Sequence, residues 1–165
     1  MVPKNRTDNF KEIYERHVDT VYHICLMYLN NKADAEDAVH NTFVKLMESN
    51  MRFENEQHEK SWLIKVASNI SKNMLKHWTR FGSDFDELAD MGTEDNYGEV
   101  LDALSRLPDR LKIPVYLFYY HGYSSKEIGA ILKQNDSTVR NHLQSAKKLL
   151  RDILGDDTER GNEND

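Results

Sequence analysis

Over residues 9–81 and again over 99–154 apolar side chains recur at steps of three and four, and no segment sustains the period-two alternation of a strand. An α-helix turns once in about 3.6 residues, so this spacing collects apolar groups on one face and leaves the other to water. The chain is therefore expected to be all-α. Phe10, Ile13, Tyr14, Val18, Val21, Tyr22, Cys25 and Leu29 make the first such face, with a break expected near His17. The stretch NNKADAED then resets the pattern. Asp34 is placed to cap the next helix by accepting the Asp37 amide, with Glu36 and Asp37 favoured by the dipole of its first turn. Ala38, Val39, Phe43, Leu46 and Met47 are expected as that helix's buried stripe, with a polar loop, RFENEQHEK, after it. A third helix follows, with Trp62, Leu63, Val66, Ala67, Ile70, Met74 and Trp78 on one side. Lys65, Asn69, Lys72, Asn73, Lys76 and Arg80 lie on the other. Three such faces can close on one core, which predicts a helical domain over residues 8–81.

The stretch 82–98 has three glycines, a heavy load of acid and little apolar pattern, and reads as a flexible acidic linker. A second helical domain is predicted over 99–154. Pro108 suits a helix start there. Pro114 does not suit a helix interior, so a local kink or a first-turn position is expected. Residues 155–165, GDDTERGNEND, read as a disordered tail.

The 165 residues carry a formal net charge of −6, but the charge is segregated. Residues 61–81 hold four bases and no acid, and 82–99 hold seven acids and no base. Residues 124–151 hold six bases against two acids, and 152–165 hold six acids against one base. Surface charge acts within a Debye length, about 8 Å in physiological salt, so local clusters matter more than the sum. Two basic blocks of this kind suit a polyanion. The single cysteine, Cys25, cannot pair within the chain and sits in an apolar stretch, as a small buried thiol does. No apolar run is long enough to cross a bilayer. The N-terminal MVPKNRTDNFKE lacks the apolar core of a signal peptide, so a cytoplasmic location is expected.

The second basic block reads GYSSKEIGAILKQNDSTVRNHLQSAKKLL, residues 122–150. A short helix from Ser125 to Leu132 would bury Ile128 and Leu132, with Gly129 small where two crossing helices approach. Asn135 is placed to cap a second helix at the Thr138 amide. Val139, Leu143, Ala146 and Leu150 would be buried, leaving Ser137, Arg140, Asn141, Gln144, Lys147 and Lys148 exposed. Arginine and asparagine can read guanine and adenine edges in a major groove, and lysines suit phosphates. This is the pattern of a helix-turn-helix. A plain helical hairpin with a solvated basic face would share the spacing, and Lys133 occupies a turn position that favours glycine.

The segments AEDAVHNTFVKLM and SWLIKVASNISKNMLKHW resemble region two of bacterial RNA polymerase sigma factors. LPDRLKIPVYLFYYHGYSSKEIGAIL followed by STVRNHL resembles their region four. The likeness spans about residues 9–154 in the same order with no domain between, the layout of the extracytoplasmic-function group. It implies a sigma factor that binds core RNA polymerase and recognises the −10 and −35 promoter elements, with no cofactor and no catalytic role. Asp37, His40, Asn41, Phe43 and Lys45 would meet the β′ clamp, and region four would meet the β flap. Lys65, Asn69, Lys72, Asn73, Lys76 and Arg80, with the loop before their helix, would hold the separated non-template strand of the −10 element. Ser137, Thr138, Arg140, Asn141, His142, Gln144, Lys147 and Lys148 would meet the −35 element as duplex. An anti-sigma factor is an implied partner, and membrane insertion is not implied. His40 and Asn41 stand where the family often has glutamine and glutamate. Asn73, Gly129 and Ser145 replace a frequent aspartate, alanine and arginine, which leaves the promoter sequence open.

Two other functions compete. The histidines show no HExxH spacing, and neither a CxxC pair nor a glycine-rich phosphate loop occurs, so a hydrolase or metalloenzyme is not expected. A helix-turn-helix regulator acting without polymerase is the second. A receiver domain would need alternating strands and helices, which residues 1–81 lack. Binding to core polymerase separates the alternatives.

Overall fold

Every run of three- and four-residue spacing folds as helix. The computed structural model describes residues 6–81 and 97–162, and the side chains within 9–78 and 98–155. Among these the chain forms seven helices and no strand. They belong to two compact units, Met1–Met91 and Gly92–Asp165.

In the first unit α1 (Arg6–Leu29), α2 (Lys32–Glu48) and α3 (Glu56–Phe81) pack pairwise. Ile24, Cys25 and Leu26 of α1, Ala38 and Phe43 of α2, and Leu63 and Ala67 of α3 are buried between them. Burial pushes the Cys25 thiol up to about 11, so it packs as a small apolar group. Helix α1 runs unbroken through His17, contrary to the expected break. The ring is buried because its Nε2 lies 2.9 Å from Glu59 Oε2. Arg16 donates to the same carboxylate through Nη2, at 2.9 and 3.1 Å, and through Nε at 3.3 Å. The polar residues at the supposed break thus tie α1 to α3.

Two helix starts differ from expectation. Asn31, not Asp34, is the N-cap of α2, its side chain accepting the Asp34 amide at 3.0 Å. Asn30 makes the turn before it with a left-handed φ of 54°, a conformation asparagine tolerates. Helix α3 begins at Glu56, inside the segment expected as loop, so the connection shrinks to residues 49–55. The Asn55 side chain accepts the His58 amide at 2.8 Å, and Glu56 and Glu59 in the first turn suit the helix dipole.

The second unit comprises α4 (Tyr97–Ser105), α5 (Asp109–His121), α6 (Ser125–Leu132) and α7 (Asp136–Asn162). Helix α7 packs on the other three, burying Leu104, Leu111, Val115, Leu117, Ile128 and Val139. Helix α4 starts at Tyr97, two residues ahead of Glu99. Pro108 is the N-cap of α5, while Pro114 lies inside that helix, past the first turn. Its missing N–H leaves the Arg110 carbonyl without a helical donor, yet α5 continues to His121. The expected tail is corrected as well: α7 carries on past Leu154 to Asn162. Extending a nucleated helix costs far less than starting one. Of the expected linker, residues 82–96 lie outside the described residues, as do 163–165.

Candidate nucleic-acid interface

Helix α6 opens with a capping box: Ser124 Oγ accepts the Glu127 amide at 3.1 Å, and the Glu127 carboxylate accepts the Ser124 amide at 3.3 Å. It closes at Lys133, which takes the left-handed φ of 56° and ψ of 47° that a glycine would take without strain. The Lys133 and Gln134 amides both point to the Gly129 carbonyl. This turn folds so tightly that a Cβ on Gly129 would sit 2.6 Å from the Gln134 carbonyl oxygen. The need for glycine therefore comes from the turn's own backbone more than from a crossing helix. Asn135 precedes α7, its carbonyl accepting the Val139 amide at 3.1 Å. Next to it Asp136 accepts a hydrogen bond from Ser125 Oγ and lies 3.6 Å from Arg140 Nε.

With Val139 and Ala146 fully buried, α7 turns Ser137, Arg140, Asn141, Gln144, Lys147 and Lys148 outward. These are the residues the spacing selected. Thr138 and His142 differ: both are half-buried. The Nδ1 of His142 is enclosed, without a hydrogen-bond partner among the described residues. On α3, Lys65, Asn69, Asn73 and Lys76 are exposed along one face. Lys72 is half-buried because its ammonium stands 5.5 Å over the Tyr28 ring. Arg80 belongs to α3, but its side chain lies outside the described ones. Ahead of this face, Phe53 meets His58 and Trp62 edge-on, at 5.2 and 5.8 Å between centroids.

On α2, Asp37, His40, Asn41 and Lys45 are exposed. Phe43 is not: it is 4% exposed, packed edge-on against Tyr14 at 4.8 Å and Phe10 at 6.3 Å. An aromatic ring gains more from that core than from a wet surface, so Phe43 lies at the floor of a groove between α1 and α2 and not on the exposed face. Two apolar grooves were not foreseen. One, about 480 Å³, runs between α1 and α2 along Tyr14, Val18, Val39, Val44 and Met47. The other, about 730 Å³, is lined by Val100, Leu104, Tyr119, Leu150 and Leu154, with Lys147 and Arg151 beside them. Met47, expected on the buried stripe of α2, is instead 58% exposed at the rim of the first groove, and Tyr119 is 58% exposed beside the second.

A helix-turn-helix with a basic, amide-bearing outer face, on a chain that carries a second such face on a separate unit, defines a DNA-binding transcription protein. Residues 13–81 match the family Sigma-70 region 2, and residues 97–150 match Sigma-70, region 4. The chain belongs to the sigma-70 family of RNA polymerase sigma factors, in its extracytoplasmic-function group.

It is 29% identical over 140 residues to RNA polymerase sigma factor SigV of Bacillus subtilis, covering 82% of this chain and 84% of SigV. It is 28% identical over 159 residues to ECF RNA polymerase sigma factor SigE of Mycolicibacterium smegmatis, covering 88% of this chain and 62% of SigE. The chain thus spans less than two thirds of that longer relative. In fold it is similar to the sigma factor RpoE of Bartonella quintana, solved in complex with the anti-sigma factor NepR. The TM-score is 0.66 at 17% identity, covering 89% of this chain and 97% of RpoE. Among the described residues no helix is long and apolar enough to cross a membrane.

Proposed function

We propose that this chain binds core RNA polymerase and directs initiation at promoters it recognises through both units, acting as a specificity subunit without catalysis of its own, in the cytoplasm. The observation that carries this reading is the pairing, on one chain, of sigma regions two and four, each with an exposed basic helix face. In region two the α3 face of Lys65, Asn69, Asn73 and Lys76 would hold unpaired bases of the −10 element, since amides reach the hydrogen-bonding edges that strand separation uncovers. Lys72 and Arg80 would add charge to the same strand. In region four α7 would enter the major groove of the −35 element by Arg140, Asn141 and Gln144, with Ser137, Lys147 and Lys148 on the backbone. Thr138 and His142 would contribute packing at its edge. Asp37, His40, Asn41 and Lys45, beside the α1–α2 groove, would meet the β′ clamp. The larger groove of the second unit suits an apolar element such as the β flap.

An anti-sigma factor is the expected antagonist, as RpoE of similar fold is held by one. Run-off transcription with purified core polymerase on a promoter library tests the whole reading. Discrete starts that require this chain are expected; DNA binding without any gain in initiation over core enzyme alone would favour the polymerase-independent regulator.

A further inference from the structure

We propose that Asp136 is a positioning residue that orients Arg140 for base readout, and that Ser125 holds Asp136 in place. The inference rests on the reading that α7 enters the major groove. Asp136 opens α7, and its carboxylate is engaged on both sides. Its Oδ1 accepts the hydroxyl of Ser125, which belongs to α6, while its Oδ2 lies 3.6 Å from the Nε of Arg140 one turn further along. Acid four residues ahead of base is the favourable order for such a pair on a helix, and Asp136, in the first turn, also suits the dipole.

The chemistry of guanine recognition explains why such a brace matters. Two N–H groups of one guanidinium must reach O6 and N7 together, so the plane and roll of the side chain decide the outcome. A free arginine spreads over many rotamers, and most point the fork elsewhere. A carboxylate on the Nε side restrains that roll and leaves the two terminal nitrogens free to converge on the base edge. In water the pair contributes little, since the Arg140 and Asp136 side chains are 64% and 46% exposed. Once a duplex excludes solvent the same attraction strengthens. The carboxylate also repels phosphates, so it lowers affinity for every sequence alike. What it yields in return is discrimination. Because Ser125 sits on the other helix of the motif, the arginine's aim is coupled to the angle of the turn itself.

The test uses the full chain with core polymerase and a duplex pool randomised across the −35 segment, with bound species sequenced and single-base variants titrated. Arg140→Ala should relax one base pair by about 5- to 100-fold. Asp136→Asn keeps an acceptor for Ser125 but removes the charge beside Arg140. It should raise binding to random duplex and relax the same base pair by about five-fold or more. Asp136→Glu should restore part of that selectivity. Ser125→Ala should act in the same direction as Asp136→Asn, but less. In the Arg140→Ala background Asp136→Asn should cost no further selectivity. If Asp136→Asn scales binding to all duplexes by one factor while Arg140→Ala still relaxes one position, the positioning role is overturned and the readout stands. If Arg140→Ala weakens every duplex alike, the readout assignment fails and the inference with it.

Discussion

A histidine ring closed against a carboxylate acquires a pH dependence whose sign is set by its other nitrogen. His17 gives Nε2 to Glu59, while its Nδ1 is buried without a hydrogen-bond partner among the described residues. Protonation would place an N–H there with nothing to accept it. Burial therefore holds the ring below its ordinary pKa of about 6.5, even though Glu59 pulls the other way. Above that value the ring is neutral in both states and its packing contributes fully. As pH falls through about 6.5 the unfolded chain takes up a proton that the folded chain refuses, so stability drops towards the lower folded value. Burial holds His23 below its ordinary value too, so chemical denaturation at pH 7.5 and 5.5 should show a loss that His17→Gln reduces in part; an equal loss in that variant would place the titration elsewhere. Lys133 offers a second residue-level expectation. Its left-handed backbone costs on the order of 1 kcal/mol for a residue with a Cβ. Lys133→Gly should raise the stability of the second unit by about that amount in urea titration. The strain at Lys133 was legible in the sequence, because the tight turn of a helix-turn-helix demands that conformation. The burial of Phe43 was legible as well, since spacing puts it on the apolar stripe of α2; its ring partners Tyr14 and Phe10, distant in sequence and on another helix, were not.

Among the elements, α3 presents two kinds of lysine. Lys65 and Lys76 stand in solvent, whereas Lys72 is committed to the Tyr28 ring. Each lysine that releases a counterion on binding single-stranded DNA contributes about 0.7 to the slope of log affinity against log salt. Lys65→Ala and Lys76→Ala should each lower the slope by roughly that amount on a −10 single strand bound by the holoenzyme, and Lys72→Ala by less. Equal slopes for all three variants and the parent would remove α3 from the strand contact. The helices themselves were readable from spacing because the core sorts side chains by period. Their ends were not, since an end is decided by which side chain reaches a free amide. Asn31 does so ahead of Asp34, and Asn55 does so inside the segment expected as loop; hydrophobic spacing carries no trace of either. The outward residues of α7 were readable for the same reason as the helix: burying Val139 and Ala146 leaves Arg140, Asn141 and Gln144 no other direction.

For the molecule as a whole, the sixteen steps from Phe81 to Tyr97 set an upper limit of about 53–58 Å on the separation of those two points. Two weakly bound promoter elements hold together only if one chain can reach both, through effective concentration. Removing about ten of the intervening residues would cut the limit to roughly 20–22 Å. Promoter-specific run-off transcription should then disappear while helical circular dichroism persists; full activity would sink the tether argument. Length has a further consequence in α7. Its 27 residues make a rod of about 40 Å. The part up to Arg151 carries three more bases than acids, and the part from Asp152 to Asn162 three more acids than bases. Near a polyanion such a rod feels a torque before it feels a contact: its far end is pushed outward as its near end is drawn in. Approach end-first becomes the favoured encounter, and collisions made broadside or tail-first are rejected early. Neutralising Asp156, Asp157 and Glu159 to amides should therefore speed association with any duplex while lowering the fraction of encounters that become specific complexes. Stopped-flow association on −35 and random duplexes would measure both; an unchanged fraction would mean that only the total charge is felt.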